Sequence, residues 1–158
     1  MTHNLCYYDS LIGMLRIIAN ENGITGIQFA FDCKERFNTV ETKTPLLKEA
    51  VRQLTDYFMG VRKEFSLPLN LQGTDFQLRT WSALMDIPYG ETRSYKQIAE
   101  AIECPKGCRA VGLANNRNPI PIIIPCHRVI GANGDLTGYA GGLEIKKRLL
   151  AIESINCE

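Results

Sequence analysis

The residues of this sequence best suited to chemistry are an adjacent cysteine and histidine, Cys126 and His127. A thiol attacks carbon well only as the thiolate, so a functional cysteine needs a nearby base or cation to remove its proton. Adjacent side chains on an extended chain point to opposite sides, so a bridging water or a sharp backbone turn must join the two groups. The pair is typical of nucleophilic catalysis, and an inert core thiol beside a structural histidine is the alternative.

A histidine that accepts a proton also needs an acidic partner. The partner fixes the tautomer of the imidazole and stabilises the cation that forms. Two carboxylates near the end of the chain, Glu144 and Glu153, are candidates. Their spacing from His127 does not choose between them.

Composition places the chain among ordinary globular proteins. It has 158 residues, of which 45% are hydrophobic and 22% charged, and this suits one domain or two small ones. No stretch approaches the ~18 consecutive apolar residues of a membrane span, and the N-terminus lacks the pattern of a secretion signal. We therefore expect a cytoplasmic protein with no membrane association.

The cysteines and histidines do not form a metal-binding pattern. Six cysteines are scattered along the chain, and the only histidines are His3 and His127. Without a secretion signal the thiols are expected to be reduced. The pair Cys104 and Cys108 has no second pair with which to complete a zinc site. We expect neither a metal nor another cofactor.

Basic residues are concentrated in one stretch, although the net charge is only +1. From Arg93 to Arg128 there are six basic residues and two acidic ones, a local balance of +4. Such a stretch could face the phosphates of a nucleic acid, and a solvated protein surface is the alternative.

The first part of the chain predicts strands followed by a helix. Apolar residues 15–18 and 24–29 flank a turn-rich tetrad, which is typical of a hairpin. A helix is predicted from Thr44 to Gly60, with a proline in its first turn and an apolar stripe. A change of composition near Leu71 predicts two domains, residues 1–70 and 71–158.

The second part opens with helices that begin at capping boxes, at residues 74–77 and 94–97. Residues 104–107 must break the second of these helices, and a helical pattern resumes at Cys108. Two short helices joined by a tight turn are a candidate helix-turn-helix. A packed helical hairpin without a DNA-binding role is the alternative.

The segment that precedes Cys126 is apolar and rich in proline. Residues 120–125 are too apolar to be exposed and carry too many prolines for a helix or a central strand, so we predict a buried extended segment. Glycine-punctuated residues 131–142 are typical of a hairpin with a loop. A last helix is predicted from about Leu143 to Glu153.

Several motifs surround the thiol and extend over the second part of the chain. The most specific is Pro125-Cys126-His127-Arg128-Val129-Ile130, preceded by Asn118-Pro119-Ile120-Pro121. The others are Ser94-Tyr95, Arg109-Ala110-Val111-Gly112, Gly138-Tyr139-Ala140-Gly141-Gly142-Leu143 and Leu149-Leu150-Ala151-Ile152-Glu153. Together they resemble O6-alkylguanine-DNA alkyltransferases, the methylated-DNA–protein-cysteine methyltransferases. The first part resembles that family only in layout.

The resemblance implies a suicide reaction at the thiol. Cys126 would accept an alkyl group from O6-alkylguanine, His127 would act as a water-mediated base, and Glu153 would orient the histidine. Of the two candidate carboxylates, the resemblance therefore selects Glu153. The product is a thioether with no easy hydrolytic exit, so one molecule would repair one lesion.

Two further residues would support the reaction. Asn118 would tie the helix-turn-helix to the active-site segment. Tyr95 would interact with guanine N3 and assist the departure of the base, because a protonated base is a better leaving group.

The resemblance also implies binding to double-stranded DNA through the minor groove, with the damaged nucleotide rotated out of the duplex. Arg109 matches the arginine that fills the space left in the stack. The carbonyls of Cys126 and Val129 would recognise the exocyclic amine of guanine. The residues expected to contact DNA or the base are Tyr95, Arg109, Ala110, Gly112, Asn116, Arg117, Arg128, Val129, Tyr139 and Ala140.

The chain departs from the family pattern at two of these positions. It carries Asn116 where some members have an arginine, which would weaken a phosphate or base contact. It carries Ala140 where members have a serine, although the contact made there uses the backbone amide.

The implied fold is α+β (α/β) in two small domains, an N-terminal ribonuclease-H-like α/β domain and a C-terminal domain of the winged-helix or helix-turn-helix kind. A monomer is expected. One rival function is a DNA-lesion-binding module without enzymatic activity, against which Cys126 argues because such relatives lack the cysteine. The other is a cysteine hydrolase, which would turn over many times on an ester or amide.

Overall fold

The computed structural model describes residues 3–30 and 40–157. Contacts within the chain divide it into two compact units, Met1–Leu71 and Gln72–Glu158. Among the described residues, none of the helices has both the length and the apolar character needed to cross a bilayer.

The first unit contains an antiparallel sheet of three strands, β1 (Asn4–Ser10), β2 (Gly13–Asn20) and β3 (Gly23–Phe29), in the order β1-β2-β3. The predicted hairpin is β2 with β3. Strand β1 was not predicted, and it pairs with β2 along its whole length.

The close approach of a second segment explains the glycine that begins β3. Gly23 has φ +148, and a Cβ at this position would lie 2.6 Å from the carbonyl oxygen of Pro68. Ile24 N donates to that oxygen at 2.8 Å, and Asn70 N donates back to Ile24 O at 2.8 Å. A side chain at residue 23 would therefore push the two backbones apart.

Among the described residues of this unit, one helix packs on the sheet. Helix α1 (Pro45–Phe58) begins where the sequence predicts, with Thr44 as its N-cap and a proline in its first turn. The Thr44 hydroxyl accepts from Leu47 N at 3.3 Å. The apolar residues that the helix buries are Leu47, Ala50, Leu54 and Tyr57.

The second unit carries four α-helices among its described residues. They are α2 (Asp75–Met85), α3 (Tyr95–Ala101), α4 (Cys108–Asn116) and α5 (Leu143–Ile155). Both predicted capping boxes are present, with Thr74 and Ser94 as the N-caps of α2 and α3. The turn between α3 and α4 is closed by Gly107 N donating to Cys104 O at 2.8 Å.

Residues 120–125 are buried, as predicted except at the half-buried Ile123, but they are not extended. Ile122 has φ +76, and Ile124 N donates to Ile120 O at 2.9 Å, so the segment turns back on itself. The prediction of an extended segment is wrong because apolar composition and proline exclude a helix without specifying the turn that replaces it.

The residues that follow the turn differ from the predicted hairpin. A short 3-10 helix (Cys126–Arg128) leads into β5 (Val129–Ile130), which pairs in parallel with β4 (Arg93–Ser94). Residues 131–142 form a loop with no strand pairing. Since β5 takes its partner from the segment before α3, a local hairpin does not form.

Candidate active site

The 3-10 helix brings the predicted nucleophile and its neighbours into the core of the second unit. Cys126 is 3% exposed, His127 is 0% exposed, and Arg128 is also buried. The turn is closed by Arg128 N donating to Pro125 O at 3.0 Å. Successive side chains on a 3-10 helix are about 120° apart, so this segment has the sharp backbone turn that was one of the two alternatives expected at Cys126 and His127.

His127 is held by Glu153 from helix α5. The distance from His127 Nε2 to Glu153 Oε2 is 2.6 Å, and Glu153 is only 1% exposed. Glu144, the other candidate, is exposed at the start of the same helix. The structure therefore brings Glu153, and not Glu144, to the histidine.

Arg128 is the second partner of the same carboxylate. Its Nε donates to Glu153 Oε1 at 2.8 Å and its Nη2 to Oε2 at 3.1 Å, and Nη1 donates to Ile87 O at 2.6 Å. Its guanidinium also lies 5.7 Å from the ring centroid of Tyr89. The prediction that Arg128 faces DNA is wrong, because its guanidinium is buried in contacts within the protein.

The contacts among these three side chains determine the protonation states of Glu153 and His127. Burial by itself would raise the pKa of Glu153, but hydrogen bonds from His127 and Arg128 outweigh it and lower the pKa to about 2. Burial lowers the pKa of His127, against the opposing effect of Glu153. A neutral His127 that donates from Nε2 to the carboxylate leaves Nδ1 as an acceptor. Among the described residues Nδ1 has no hydrogen-bond partner.

The thiol of Cys126 is protonated in this environment. Burial raises its pKa to about 11. A hydrogen bond from Asn118, the positive charge of Lys146 and a hydrogen bond with Tyr139 oppose this rise. Ionisation of the thiol at neutral pH therefore requires a base that takes the proton during the reaction.

Lys146 is a member of the site that sequence reasoning missed. It is 0% exposed, and its Nζ donates to Val129 O at 2.6 Å and to Thr137 O at 2.8 Å. Burial lowers the pKa of Lys146, while the nearby Cys126 thiolate would raise it. A signal was present in the sequence, since Lys146, Leu149 and Glu153 recur at the spacing of one helix face.

Asn118 fastens the turn that leads to the thiol. Its Nδ2 donates to Ile124 O at 2.7 Å, and its Oδ1 accepts from Ile120 N at 2.9 Å. One side chain therefore joins the two ends of the turn directly after helix α4. A neighbouring asparagine, Asn115, donates from Nδ2 to Cys126 O at 3.4 Å.

Two tyrosines are associated with the loop of residues 131–142, since Tyr95 contacts it and Tyr139 belongs to it. Tyr95 is half-buried, and its hydroxyl donates to Thr137 O at 3.1 Å. Tyr139 is buried, and its hydrogen bond with Cys126 and its burial raise its pKa well above the ordinary value. Val129, whose carbonyl was expected to meet guanine, already accepts a hydrogen bond from Lys146.

The other residues expected to contact DNA lie on or next to helix α4, with one in the loop. Arg109 and Ala110 are exposed in its first turn, Asn116 and Arg117 are exposed at its end, and Ala140 is exposed in the loop. Gly112 is half-buried. A Cβ at this position would lie 3.9 Å from the ring of Tyr95. Helix α4 thus presents two arginines to solvent, one at each end.

Comparison with known proteins identifies the family. Residues 6–71 match the ribonuclease-like domain of 6-O-methylguanine DNA methyltransferase, and residues 75–155 match the DNA-binding domain. The methylated-DNA–protein-cysteine methyltransferase of Methanosarcina barkeri is 52% identical over 157 residues, covering 95% of this chain and 98% of its own. The constitutive enzyme of that name from Bacillus subtilis is 53% identical over 154 residues, with 94% and 93% covered.

A solved structure agrees with this result. The crystal structure of Mycobacterium tuberculosis OGT in complex with DNA is 47% identical in sequence, with a TM-score of 0.84, and the match covers 98% of this chain and 93% of that one. The chain therefore belongs to the 6-O-methylguanine DNA methyltransferase family. The resemblance stated from the motifs and the predicted fold class are both confirmed.

Proposed function

We propose that this chain repairs DNA by moving an alkyl group from O6 of guanine to the thiol of Cys126, once per molecule. The observation that supports this most directly is the buried series Cys126, His127 and Glu153, in which the histidine and the carboxylate are 2.6 Å apart. It lies in the part of the chain that matches the family's DNA-binding domain.

The first event is removal of the thiol proton. Nδ1 of His127 accepts it through one bridging water, and Glu153 stabilises the imidazolium that forms. Arg128 keeps Glu153 ionised, since it supplies two of the hydrogen bonds that lower the carboxyl pKa. The thiolate is stabilised by Lys146, whose charge lowers the pKa of Cys126.

The second event is a displacement at the alkyl carbon. A bond from Cys126 Sγ to that carbon forms while the bond from the carbon to guanine O6 breaks, and the electron pair of the broken bond leaves with the base. The hydroxyl of Tyr95 supplies a proton at guanine N3, which makes the base a better leaving group, and the imidazolium of His127 releases the thiol proton to solvent, which reprotonates the tyrosine. The thioether product cannot return the thiol, so no second turnover follows.

Helix α4 is proposed as the element that meets DNA. The lesion is inaccessible inside a stacked duplex, so the damaged nucleotide is rotated out, and Arg109 occupies the space that it leaves. Ala110 and Gly112, both small, let the helix approach the minor groove closely. Arg117, exposed at the other end of the helix, is positioned to contact a phosphate.

The deciding experiment is mass spectrometry of the protein after incubation with duplex DNA that contains O6-methylguanine. We expect one added methyl group on the peptide that holds Cys126, saturating at one per chain, with unmodified guanine left in the DNA. Matched undamaged duplex is the control. Protein that stays unmodified while it binds the damaged duplex would overturn the proposal in favour of a lesion-binding module, and repeated release of product would favour a hydrolase.

The protein is further proposed to act as a monomer in the cytoplasm. A single copy holds the thiol, the histidine and the carboxylate, so the displacement needs no second chain. Sedimentation of the free protein should therefore give the mass of one chain, and a stable dimer at micromolar concentration would contradict this.

A further inference from the structure

The turn between helices α3 and α4 carries two cysteines that the transfer reaction does not use. Cys104 and Cys108 flank residues 105–107, and the turn is closed by the hydrogen bond from Gly107 N to Cys104 O. Cys104 is half-buried and Cys108 is exposed. Both are recorded as free thiols.

The sulfur of Cys104 lies beside Gly107, the residue directly before Cys108. A Cβ on Gly107 would lie 2.7 Å from Cys104 Sγ and 3.5 Å from Cys104 Cβ, so the sulfur rests against residue 107, directly before Cys108. Only a glycine leaves this space open. A side chain at residue 107 would displace the thiol or separate it from Cys108.

Helix α4, which begins at Cys108, starts without a side-chain cap. Gly107 is the N-cap of helix α4 and makes no side-chain capping hydrogen bond, whereas α2 and α3 each begin with a complete capping box. A first turn without a side-chain cap is easier to rearrange than a capped one. Cys108, the first residue of α4, therefore lies in a helix turn that has no side-chain cap.

From this geometry we propose that Cys104 and Cys108 form a reversible disulfide when the protein meets a peroxide, and that the disulfide weakens DNA binding by helix α4. The effect on DNA rests on the function proposed above. The formation of the bond does not.

The chemistry balances in two steps. The exposed Cys108 thiol reduces one peroxide molecule, giving a sulfenic acid and one water. The Cys104 thiol then attacks that sulfur, a sulfur–sulfur bond forms, and a second water leaves. The two thiols are oxidised, the peroxide is reduced, and a small thiol such as glutathione restores both cysteines by exchange.

The consequence for DNA binding follows from the position of Arg109. The sulfur atoms of a disulfide are about 2.0 Å apart, so closing the bond ties the first turn of α4 to Cys104 and restricts its backbone. Arg109 is the next residue and Ala110 follows it, and both are exposed on that turn. A change of backbone direction at Cys108 moves the arginine away from the place it occupies in the reduced protein.

Trypsin digestion provides a direct readout of the bond. Cleavage after Lys96, Lys106 and Arg109 gives peptides 97–106 and 107–109, each with one of the two cysteines. In protein treated with hydrogen peroxide and blocked with iodoacetamide, we expect these peptides to travel as one linked species that separates on reduction. The linked species should be absent from Cys104→Ser and from Cys108→Ser, and it should persist in Cys157→Ser, which removes another exposed thiol.

Fluorescence anisotropy with an undamaged labelled duplex measures the effect of the disulfide on DNA binding. Oxidation should lower the affinity of the natural chain by about tenfold, and dithiothreitol should restore it. Cys104→Ser should keep its affinity after the same treatment, and this variant also controls for oxidation of Cys126. Absence of the linked peptides would overturn the disulfide, and unchanged affinity of linked protein would overturn its effect on DNA.

The two proposals fail in different ways. Reduced protein that does not bind duplex DNA would contradict the proposed repair function and, with it, the DNA part of this inference. Reduced protein that binds DNA and transfers a methyl group, but forms no linked peptides, would contradict this inference alone.

Discussion

Two buried cysteines, one in each unit, have nearly the same burial and the same pKa. Cys6 in strand β1 is 2% exposed and Cys126 in the 3-10 helix is 3% exposed. Burial raises the pKa of each to about 11. Neither burial nor pKa therefore distinguishes a nucleophile from an inert core thiol in this protein.

The neighbours of the two thiols differ. Near Cys6 the carboxylate of Glu41 raises the thiol pKa further and the charge of Lys43 opposes this rise, and the carboxylate accepts from the backbone of Tyr7 at 2.7 Å. Near Cys126 the charge of Lys146 and the hydrogen bonds of Asn118 and Tyr139 all lower the pKa. A buried thiol becomes a candidate nucleophile when cations, donors and a base surround it, and a carboxylate neighbour has the opposite effect.

The largest expected effect is the loss of transfer when the Cys126 thiol is removed, and it tests the comparison between Cys126 and Cys6. Cys126→Ser should take up no methyl group from O6-methylguanine DNA, because the serine hydroxyl is a far weaker nucleophile than a thiolate. It should keep most of its affinity for DNA. Cys6→Ser should still take up one methyl group per chain. Mass spectrometry of the intact proteins measures both, and methylation of Cys126→Ser or a folded but inactive Cys6→Ser would refute the distinction.

Loss of His127, the proposed general base, should have the next largest effect. His127→Gln keeps a donor toward Glu153 but has no basic nitrogen, so the single-turnover rate of transfer should fall by about 10²–10⁴-fold, the usual contribution of a general base. Glu144→Gln, on the exposed side of the same helix as Glu153, is the matched control and should transfer at the natural rate. Equal rates for all three proteins would exclude the proposed relay.

Acid should destabilise the unit that holds the relay. The pKa of Glu153 is about 2 in the folded protein against an ordinary value of 4.5, so its stabilisation is complete above pH 4.5 and is lost as the pH falls toward 2. The amount is on the order of 3 kcal/mol. The lowered pKa of His127 acts in the same direction below its ordinary value of 6.5.

Urea unfolding at pH 7, 5 and 3 measures this effect. Glu153→Gln has no charge to protonate at residue 153, so its free energy of unfolding should be lower at pH 7 and should fall less steeply with acid. The exposed carboxylates are common to both proteins and cancel in the difference. Parallel pH dependences would mean that Glu153 does not carry the acid sensitivity.

Removal of the buried cation should have the smallest of the four effects. Lys146→Met fills a similar volume but removes the charge that lowers the pKa of Cys126, so transfer should slow by about tenfold at neutral pH and its pH profile should shift upward. Lys147→Met, at the exposed neighbouring position, should leave rate and profile unchanged. A slower Lys146→Met with an unshifted profile would point to a packing role instead.

Local signals in the sequence predicted local structure well. The capping boxes at Thr74 and Ser94 and the Thr44-Pro45 start of α1 each depend on hydrogen bonds within one turn, so a few residues suffice to specify them. The motif around Cys126 identified the family for a different reason. The residue types of this motif are those that one reaction site requires, so its match to the family is specific.

The turn of residues 120–125 is closed by local bonds that composition did not specify, but the two misjudged cations depend on residues that are far apart in sequence. Arg128 looked like a DNA contact because it is basic and lies in a basic stretch, yet its partners are Glu153, 25 residues away, and Ile87, 41 residues away. Lys146 was not singled out from the sequence, although its Nζ reaches Val129 O, 17 residues away. Charge composition does not reveal burial, because a buried cation needs a pocket assembled from several elements.

The sequence alone was sufficient to predict the helix starts, the β2–β3 hairpin, the candidate nucleophile and the family, since each follows from short-range hydrogen bonding, side-chain periodicity or a compact motif. The folded structure was needed to show that residues 120–125 fold back into a turn, that β5 pairs with β4, and that Arg128 and Lys146 are interior groups. The turn depends on a local backbone bond and on Asn118, whereas the other features depend on which distant backbone and carboxylate groups pair with buried donors. That assignment is made only when the whole unit packs.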